Sequence, residues 1–120
     1  GYNAGQVIRV PVAHGEGRVE FSSDQPENDA ALVTVRYVDN YGQVTESYPD
    51  NPNGSIRGIT GLTTPDGRFN VLMPHPERGA YFDQRPDWTV LRERFEKEGQ
   101  KTPEFAPGIN IFKNAVKYFQ

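Results

Sequence analysis

Short apolar runs between proline- and glycine-containing breaks are the feature that most constrains the fold of this 120-residue chain. Over residues 6–78 these runs are rich in β-branched residues, which is typical of strands a few residues long. The strands that the pattern predicts cover residues 6–12, 18–21, 31–38, 43–47, 57–62 and 68–73. The last third has helical spacing instead, so the pattern predicts strands first and helices last.

Helical spacing in the region 87–119 predicts two helices, over residues 88–98 and 108–119. Asp87 precedes the first helix as a candidate cap, and Gly99 follows its last residue. The apolar face of the first helix consists of Trp88, Leu91 and Phe95. The second helix is expected to direct these apolar residues inward: Ile109, Phe112, Ala115, Val116 and Phe119.

Composition and charge exclude several classes of function. With 13 basic and 16 acidic residues the net charge is −3, and the basic residues are scattered rather than gathered on a nucleic-acid-binding face. No apolar run is long enough to cross a membrane, and the first residues have neither region of a signal peptide. Cysteine is absent, which excludes disulfides and cysteine-ligated metals. A slightly acidic chain without disulfides indicates the cytoplasm.

The segment with the clearest chemistry follows the last predicted strand and reads Met73-Pro74-His75-Pro76-Glu77-Arg78. Proline on both sides of His75 removes two backbone donors and restricts the backbone. In near-extended geometry residues i and i+2 lie on the same side, so Glu77 can reach the imidazole. A carboxylate bonded to one ring nitrogen fixes the tautomer and leaves the other nitrogen as a base. His75 and Glu77 are therefore candidate catalytic residues, although a His-X-Glu triplet alone also fits a rigid surface loop.

Five segments in one order strengthen the catalytic interpretation. They are Val12-Ala13-His14-Gly15-Glu16-Gly17, Arg36-Tyr37-Val38-Asp39-Asn40-Tyr41-Gly42, Asn51-Pro52-Asn53-Gly54-Ser55, Gly58-Ile59-Thr60-Gly61 and Met73-Pro74-His75-Pro76-Glu77-Arg78. This series resembles the glutaminase part of the phosphoribosylformylglycinamidine synthases, which are class I (Cys-His-Glu) glutamine amidotransferases. The resemblance extends from about Val7 to Arg78 and returns near Ile111 to Ala115, whereas the stretch 79–107 is not placed by it.

The resemblance implies a fold, a reaction and roles for named residues. The fold would be the flavodoxin-like α/β domain of class I amidotransferases, with this chain as its strand-rich later part and terminal helices. His75 matches the general base, and Glu77 matches the carboxylate that orients it. In the family a cysteine thiolate attacks the side-chain amide of glutamine, and the released ammonia passes to the synthase site. There ATP and Mg²⁺ support conversion of formylglycinamide ribonucleotide to the amidine, while this segment itself would bind no cofactor.

The absence of cysteine departs from the family pattern, because the nucleophile lies in its N-terminal half. We therefore expect residues 1–120 to be a partial amidotransferase domain, inactive alone. Its expected partners are the Cys-bearing half, a synthase subunit or domain, and glutamine, but neither nucleic acid nor a membrane. The alternative is a non-catalytic scaffold or regulatory module that binds a synthase partner.

Two further groups of residues are candidates for substrate binding. Asn53, Gly54 and Ser55 lie in a segment that suits the glutamine pocket, the interface to the synthase or only a well-formed turn. His14 belongs to a second His-X-Glu triplet, and it fits either the substrate-facing side or a satisfied turn. The two triplets together would offer two imidazoles and two carboxylates to a metal, but the resemblance accounts for both triplets without one.

Overall fold

The computed structural model describes residues 2–13, 15, 17–21 and 31–120. The chain forms two compact units. The sheet unit is Val12–Pro74, and the helical unit combines Gly1–Pro11 with His75–Gln120. Strands precede helices along the chain, as the sequence predicts, and the α/β class is confirmed.

The sheet unit contains a three-stranded antiparallel sheet in the order β1-β2-β3. The strands are β1 (Val33–Arg36), β2 (Ile59–Thr63) and β3 (Asn70–Leu72). In the central strand, which has a neighbour on both edges, Ile59 and Thr60 are each 1% exposed. The turn after β2 closes through the N–H of Gly67, which donates to the carbonyl of Thr64 at 2.9 Å. This is the turn that the Thr-Pro-Asp-Gly sequence predicts.

Three predicted strands are wrong, because residues 6–12, 18–21 and 43–47 form no strand. Their backbone groups bond elsewhere, and backbone bonding rather than composition decides what is a strand. The N–H of Val19 donates to Oγ of Ser55 instead of to a neighbouring strand. The segment 43–47 contributes only an isolated antiparallel bridge to the residues that follow β1.

The other predicted strands are shorter or shifted. The strand predicted over residues 57–62 begins two residues later, because Arg57 and Gly58 have φ of 52° and 65°. These left-handed conformations belong to a short 3-10 helix, Ile56–Gly58, and cannot continue an extended strand. The β-branched pattern therefore located β2 correctly but not its first residue.

The helical unit contains α1 (Trp88–Lys97) and α2 (Asn110–Tyr118). Three 3-10 helices accompany them: Pro76–Gly79, Phe82–Gln84 and Pro107–Ile109. In α1 the half-buried residues are Trp88, Leu91 and Phe95, as predicted. Gly99 ends the helix at φ 67°, where its N–H and that of Gln100 bond back to the last turn. None of the described helices is long and apolar enough to cross a bilayer.

The predicted inward face of α2 is wrong. Phe112, Val116 and Phe119 are 43%, 57% and 84% exposed, and Ala115 is exposed as well. Gly108, just before α2, lies against Pro76, where an added Cβ would come within 3.2 Å of the proline. Periodicity identifies the residues that share one face of a helix, but it does not show what that face contacts. The apolar side of α2 points outward.

Candidate active site

His75 lies where the chain enters the 3-10 helix Pro76–Gly79. Its backbone N–H donates to the carbonyl of Pro11 at 2.7 Å, which ties it to the first segment of the same unit. Pro76 provides the first residue of the helix, where its missing N–H costs no hydrogen bond. The sequence around His75 therefore fixes the backbone on both sides of the imidazole.

His75 and Glu77 are in direct contact, as predicted from the triplet. The ring atom Nδ1 of His75 lies 2.6 Å from Oε1 of Glu77, a distance typical of a strong charge-assisted hydrogen bond. The route differs from the near-extended geometry that the sequence suggested, because Glu77 lies in the first turn of the 3-10 helix. The entry into the 3-10 helix, rather than the pleat of a strand, brings the carboxylate to the ring.

The electrostatics of the pair favour an ionised carboxylate. The hydrogen bond from His75 is the largest influence that lowers the pKa of Glu77 below its ordinary value of 4.5. The nearby positive charge of Arg78 lowers the same pKa further, although by less. A carboxylate that stays ionised keeps accepting from Nδ1, so the proton of a neutral His75 stays on that nitrogen.

The second ring nitrogen of His75 remains available to accept a proton. Nε2 has no hydrogen-bond partner in the described part of the chain. The side chain of His75 is 36% exposed and that of Glu77 is 55% exposed, so both can be approached from solvent. An imidazole held in one tautomer with a bare Nε2 can accept a proton from a nucleophile or an activated water.

Small residues hold the 3-10 helix of the pair closely against its neighbours. A Cβ at Gly79 would lie 3.0 Å from Cδ of Pro11, so only glycine fits without displacement. Pro76 and Gly79 are buried, whereas Glu77 and Arg78 between them are exposed. The buried residues anchor the helix, and the exposed ones carry the charges. The contribution of Pro11 was missed from the sequence because no local signal links it to His75.

The segment 51–55 belongs to the sheet unit and forms a tight hydrogen-bonded loop. Ser55 is fully buried, and its Oγ accepts from the N–H of Val19 and donates to Oδ1 of Asn53 at 3.0 Å. Nδ2 of Asn53 donates to the carbonyl of Gly17 and approaches Sδ of Met73. Gly54 has φ of 67°, and a Cβ there would meet nothing within 4 Å. Their role in substrate binding stays a prediction.

Asn51 is the polar residue that the sequence interpretation missed within this loop. It is 1% exposed, and its Nδ2 donates to the carbonyls of Thr45 and Ser55 at 3.0 and 2.9 Å. Its Oδ1 accepts from the N–H of Ser55 at 3.1 Å. Three bonds from one buried side chain indicate a residue that shapes the loop. The Asn-Pro-Asn-Gly-Ser composition signals a turn, but it does not identify the buried asparagine.

His14 and Glu16 lie outside the described residues, so the proposed metal set of two triplets is not tested. Within the ranges that the structure describes, no three histidine, aspartate or glutamate side chains are grouped to hold a metal ion. The pair His75–Glu77 is joined by a hydrogen bond between Nδ1 and Oε1.

Comparison with known protein families gives one match that covers nearly the whole chain. The CobB/CobQ-like glutamine amidotransferase domain matches residues 2–119, which includes the stretch 79–107 that the sequence resemblance left unplaced. The match is consistent with the flavodoxin-like fold predicted from the sequence. It covers both units and the His75–Glu77 pair. The chain therefore belongs to the CobB/CobQ-like glutamine amidotransferase family.

Proposed function

We propose that this chain provides the general base and its orienting carboxylate to the glutaminase reaction of a phosphoribosylformylglycinamidine synthase. The single observation that carries the catalytic part is the 2.6 Å hydrogen bond between Nδ1 of His75 and Glu77. The ordered series of five segments supports the assignment to this synthase in particular. Glutamine is the substrate, and ammonia is the product passed on to the synthase site.

His75 and Glu77 would act on protons at defined atoms. Nε2 of His75 takes the proton of a thiol, and the resulting thiolate attacks the amide carbon of glutamine. Glu77 accepts the Nδ1–H throughout and stabilises the imidazolium that forms. The same Nε2 then gives its proton to the departing nitrogen, so that ammonia and a glutamyl thioester result. Water, deprotonated by His75, hydrolyses the thioester to glutamate.

The thiol must come from residues outside this sequence, because these 120 residues contain no cysteine. We therefore propose that the chain works together with a Cys-bearing amidotransferase segment and with a synthase subunit or domain in the cytoplasm. ATP and Mg²⁺ belong to the synthase site and not to this chain. Asn53, Gly54, Ser55 and His14 are proposed to contribute to glutamine binding.

Reconstitution tests both parts of the proposal. The chain is mixed with the Cys-bearing segment and the synthase part of a phosphoribosylformylglycinamidine synthase, and supplied with formylglycinamide ribonucleotide, ATP and Mg²⁺. Amidine formation is measured with glutamine and, separately, with ammonium chloride. We expect glutamine-dependent formation that falls at least about 100-fold in His75→Ala, the scale of lost acid–base catalysis, while the ammonium-dependent rate is unchanged.

Other outcomes reject defined parts of the proposal. Glutamate release without amidine formation would keep the amidotransferase chemistry and reject this synthase. Association of the components without glutamate release would favour the non-catalytic scaffold. Equal glutamine-dependent rates for wild type and His75→Ala would reject His75 as the base.

A further inference from the structure

The apolar face of α2 is turned away from the unit that the helix belongs to. The residues of α2 that are half-buried are Asn110, Ile111 and Asn114, so two amides and one aliphatic side chain make its packed side. Phe112, Val116 and Phe119 lie three or four positions apart and are exposed. An amphipathic helix normally packs its apolar side, and this one presents it to solvent.

The exposed face is part of a larger apolar surface. An open hollow beside α2 is lined by Phe105, Ile109, Phe112 and Val116, together with Lys113, Lys117 and Gln120. A second hollow shares Phe105, Ile109 and Lys113 with the first and continues toward α1, where Leu91 and Phe95 line it. We call the lining of the first hollow, with Phe119 beside it, the α2 surface. Contiguous exposed apolar side chains of this kind mark interaction sites more often than isolated ones.

The charge on the α2 surface has one sign. Lys113 and Lys117 lie on the same flank of the helix, and α2 contains no acidic residue. Neither ammonium group has a carboxylate within ion-pair distance in the described part of the chain. Nζ of Lys113 lies 4.8 Å from the ring centre of Phe105, which holds the charge at the rim of the hollow. The whole chain is acidic at −3, so this basic rim departs from the rest of the molecule.

A second copy of the chain is a poor match for this surface. In an antiparallel pair of identical helices the same flank of each helix meets its counterpart, so Lys113 and Lys117 would face the same lysines of the other copy. Like charges at the flanks of paired helices disfavour that pairing and set partner choice. An apolar stripe with carboxylates along one flank would instead bury the aromatic side chains and neutralise both ammonium groups.

We propose that the α2 surface is a docking site for an amphipathic helix of another protein that carries glutamate or aspartate along one flank. The partner's apolar stripe would cover Phe112, Val116 and Phe119, and its carboxylates would pair with Lys113 and Lys117. Neither His75 nor Glu77 belongs to this surface, so its occupancy can be measured without glutaminase activity.

Binding of two matched synthetic helices to the whole chain tests the proposal. Both peptides have about 20 residues, enough for a marginally stable helix, and share a leucine stripe. One carries glutamate on the flank and the other carries lysine. By fluorescence anisotropy at low salt we expect the glutamate peptide to bind at least about tenfold more tightly, as two exposed ion pairs allow. Val116→Asp should abolish binding, and it changes a side chain that is already 57% exposed.

Reversing the charge of the two lysines distinguishes specific recognition from nonspecific apolar binding. The variant with Lys113→Glu and Lys117→Glu should prefer the lysine peptide, whereas Lys101→Glu, which lies outside both hollows, should behave as wild type. Equal binding of both peptides, or binding of neither, would overturn the proposal. Reversible dimerisation in sedimentation velocity that Val116→Asp removes would assign the surface to a second copy instead. Circular dichroism confirms that each variant retains its helices.

Discussion

His75 and Glu77 form their hydrogen bond within three consecutive residues. The backbone is fixed by the hydrogen bond from the N–H of His75 to the carbonyl of Pro11 and by the burial of Pro76. The side chains themselves stay accessible at 36% and 55% exposure. A base that must meet a nucleophile from another segment needs this combination of a fixed ring and an open approach.

Titration of Glu77 is the first prediction at the residue scale. Because the hydrogen bond from His75 lowers the pKa of Glu77, its carboxyl carbon should titrate with a midpoint below 4.5 in an NMR experiment. In His75→Phe the midpoint should rise toward 4.5, although the smaller influence of Arg78 remains. A wild-type midpoint at or above 4.5, or no change in the variant, would contradict the pairing in solution.

The direction of this shift sets the pH range in which the pair contributes to stability. A pKa that is lower in the folded chain than in the unfolded one makes the contribution complete above the unfolded value of about 4.5. The contribution is lost as the pH falls through the lower folded value. The orientation of His75 by an ionised Glu77 is therefore expected to persist through the neutral and mildly acidic range.

Removal of the Asn51 side chain should destabilise the sheet unit. Asn51→Ala removes three hydrogen bonds of a buried side chain. The carbonyl of Ser55 still accepts from Gly58 and its N–H still donates to Asn53, so the carbonyl of Thr45 is the group most affected. We expect a loss of about 1–3 kcal/mol in urea denaturation. Asn40→Ala, at an exposed position, should stay within about 0.5 kcal/mol of wild type. Equal stability of the two variants would show that the loop does not depend on Asn51.

At the scale of elements, the turn into β2 requires glycine at position 58 for two reasons, its backbone angle and the crowding around it. Gly58 has φ of 65°, and a Cβ there would approach the carbonyl oxygens of Tyr37 and Thr45 at 2.9 and 3.0 Å. Gly67 has a similar φ of 70° but open space around it. Both glycines have a left-handed backbone that would strain a residue with a side chain. Only Gly58 also has neighbouring atoms that would clash with a Cβ.

Alanine at these two glycines should therefore have unequal effects. Gly67→Ala is expected to cost about 1–2 kcal/mol, the penalty of a left-handed residue with a side chain. Gly58→Ala adds a steric conflict and should cost about 3 kcal/mol or more, because crowding alone costs about 1–3 kcal/mol. The free energies of unfolding from urea titration give the comparison. A Gly58→Ala variant no less stable than Gly67→Ala would contradict the crowded geometry.

The elements also show where sequence patterns are sufficient. α1 was predicted with its apolar face and its glycine stop, because spacing and a terminal glycine are local signals. The predicted cap is wrong, because the carboxylate of Asp87 makes no bond to the helix N–H groups and accepts from Arg85 instead. The segments 6–12 and 18–21 have strand composition but form no strand, and the segment 43–47 forms a single bridge, because pairing is not encoded locally. The outward face of α2 could not be predicted either. Gly108 and Pro76, which are in contact beside this helix, lie far apart in the sequence.

At the scale of the whole molecule, the family match extends over residues 2–119 and so includes both units. The contact between His75 and Glu77 could be predicted from one triplet, whereas the role of Asn51 could not. The triplet is contiguous and chemically distinctive, but a buried asparagine in a turn has the same composition as an exposed one. A contact within one short segment was therefore more predictable than the packing around it.

The glutaminase rate of the reconstituted complex tests the central claim most directly. The chain is combined with a Cys-bearing amidotransferase segment, and glutamate release is measured for wild type, His75→Ala, Glu77→Gln and the exposed control Glu93→Gln. We predict that His75→Ala lowers kcat at least about 100-fold, that Glu77→Gln has a smaller but clear effect, and that Glu93→Gln does not change the rate. A His75→Ala complex that releases glutamate at the wild-type rate would contradict the assignment of this pair as base and orienting carboxylate.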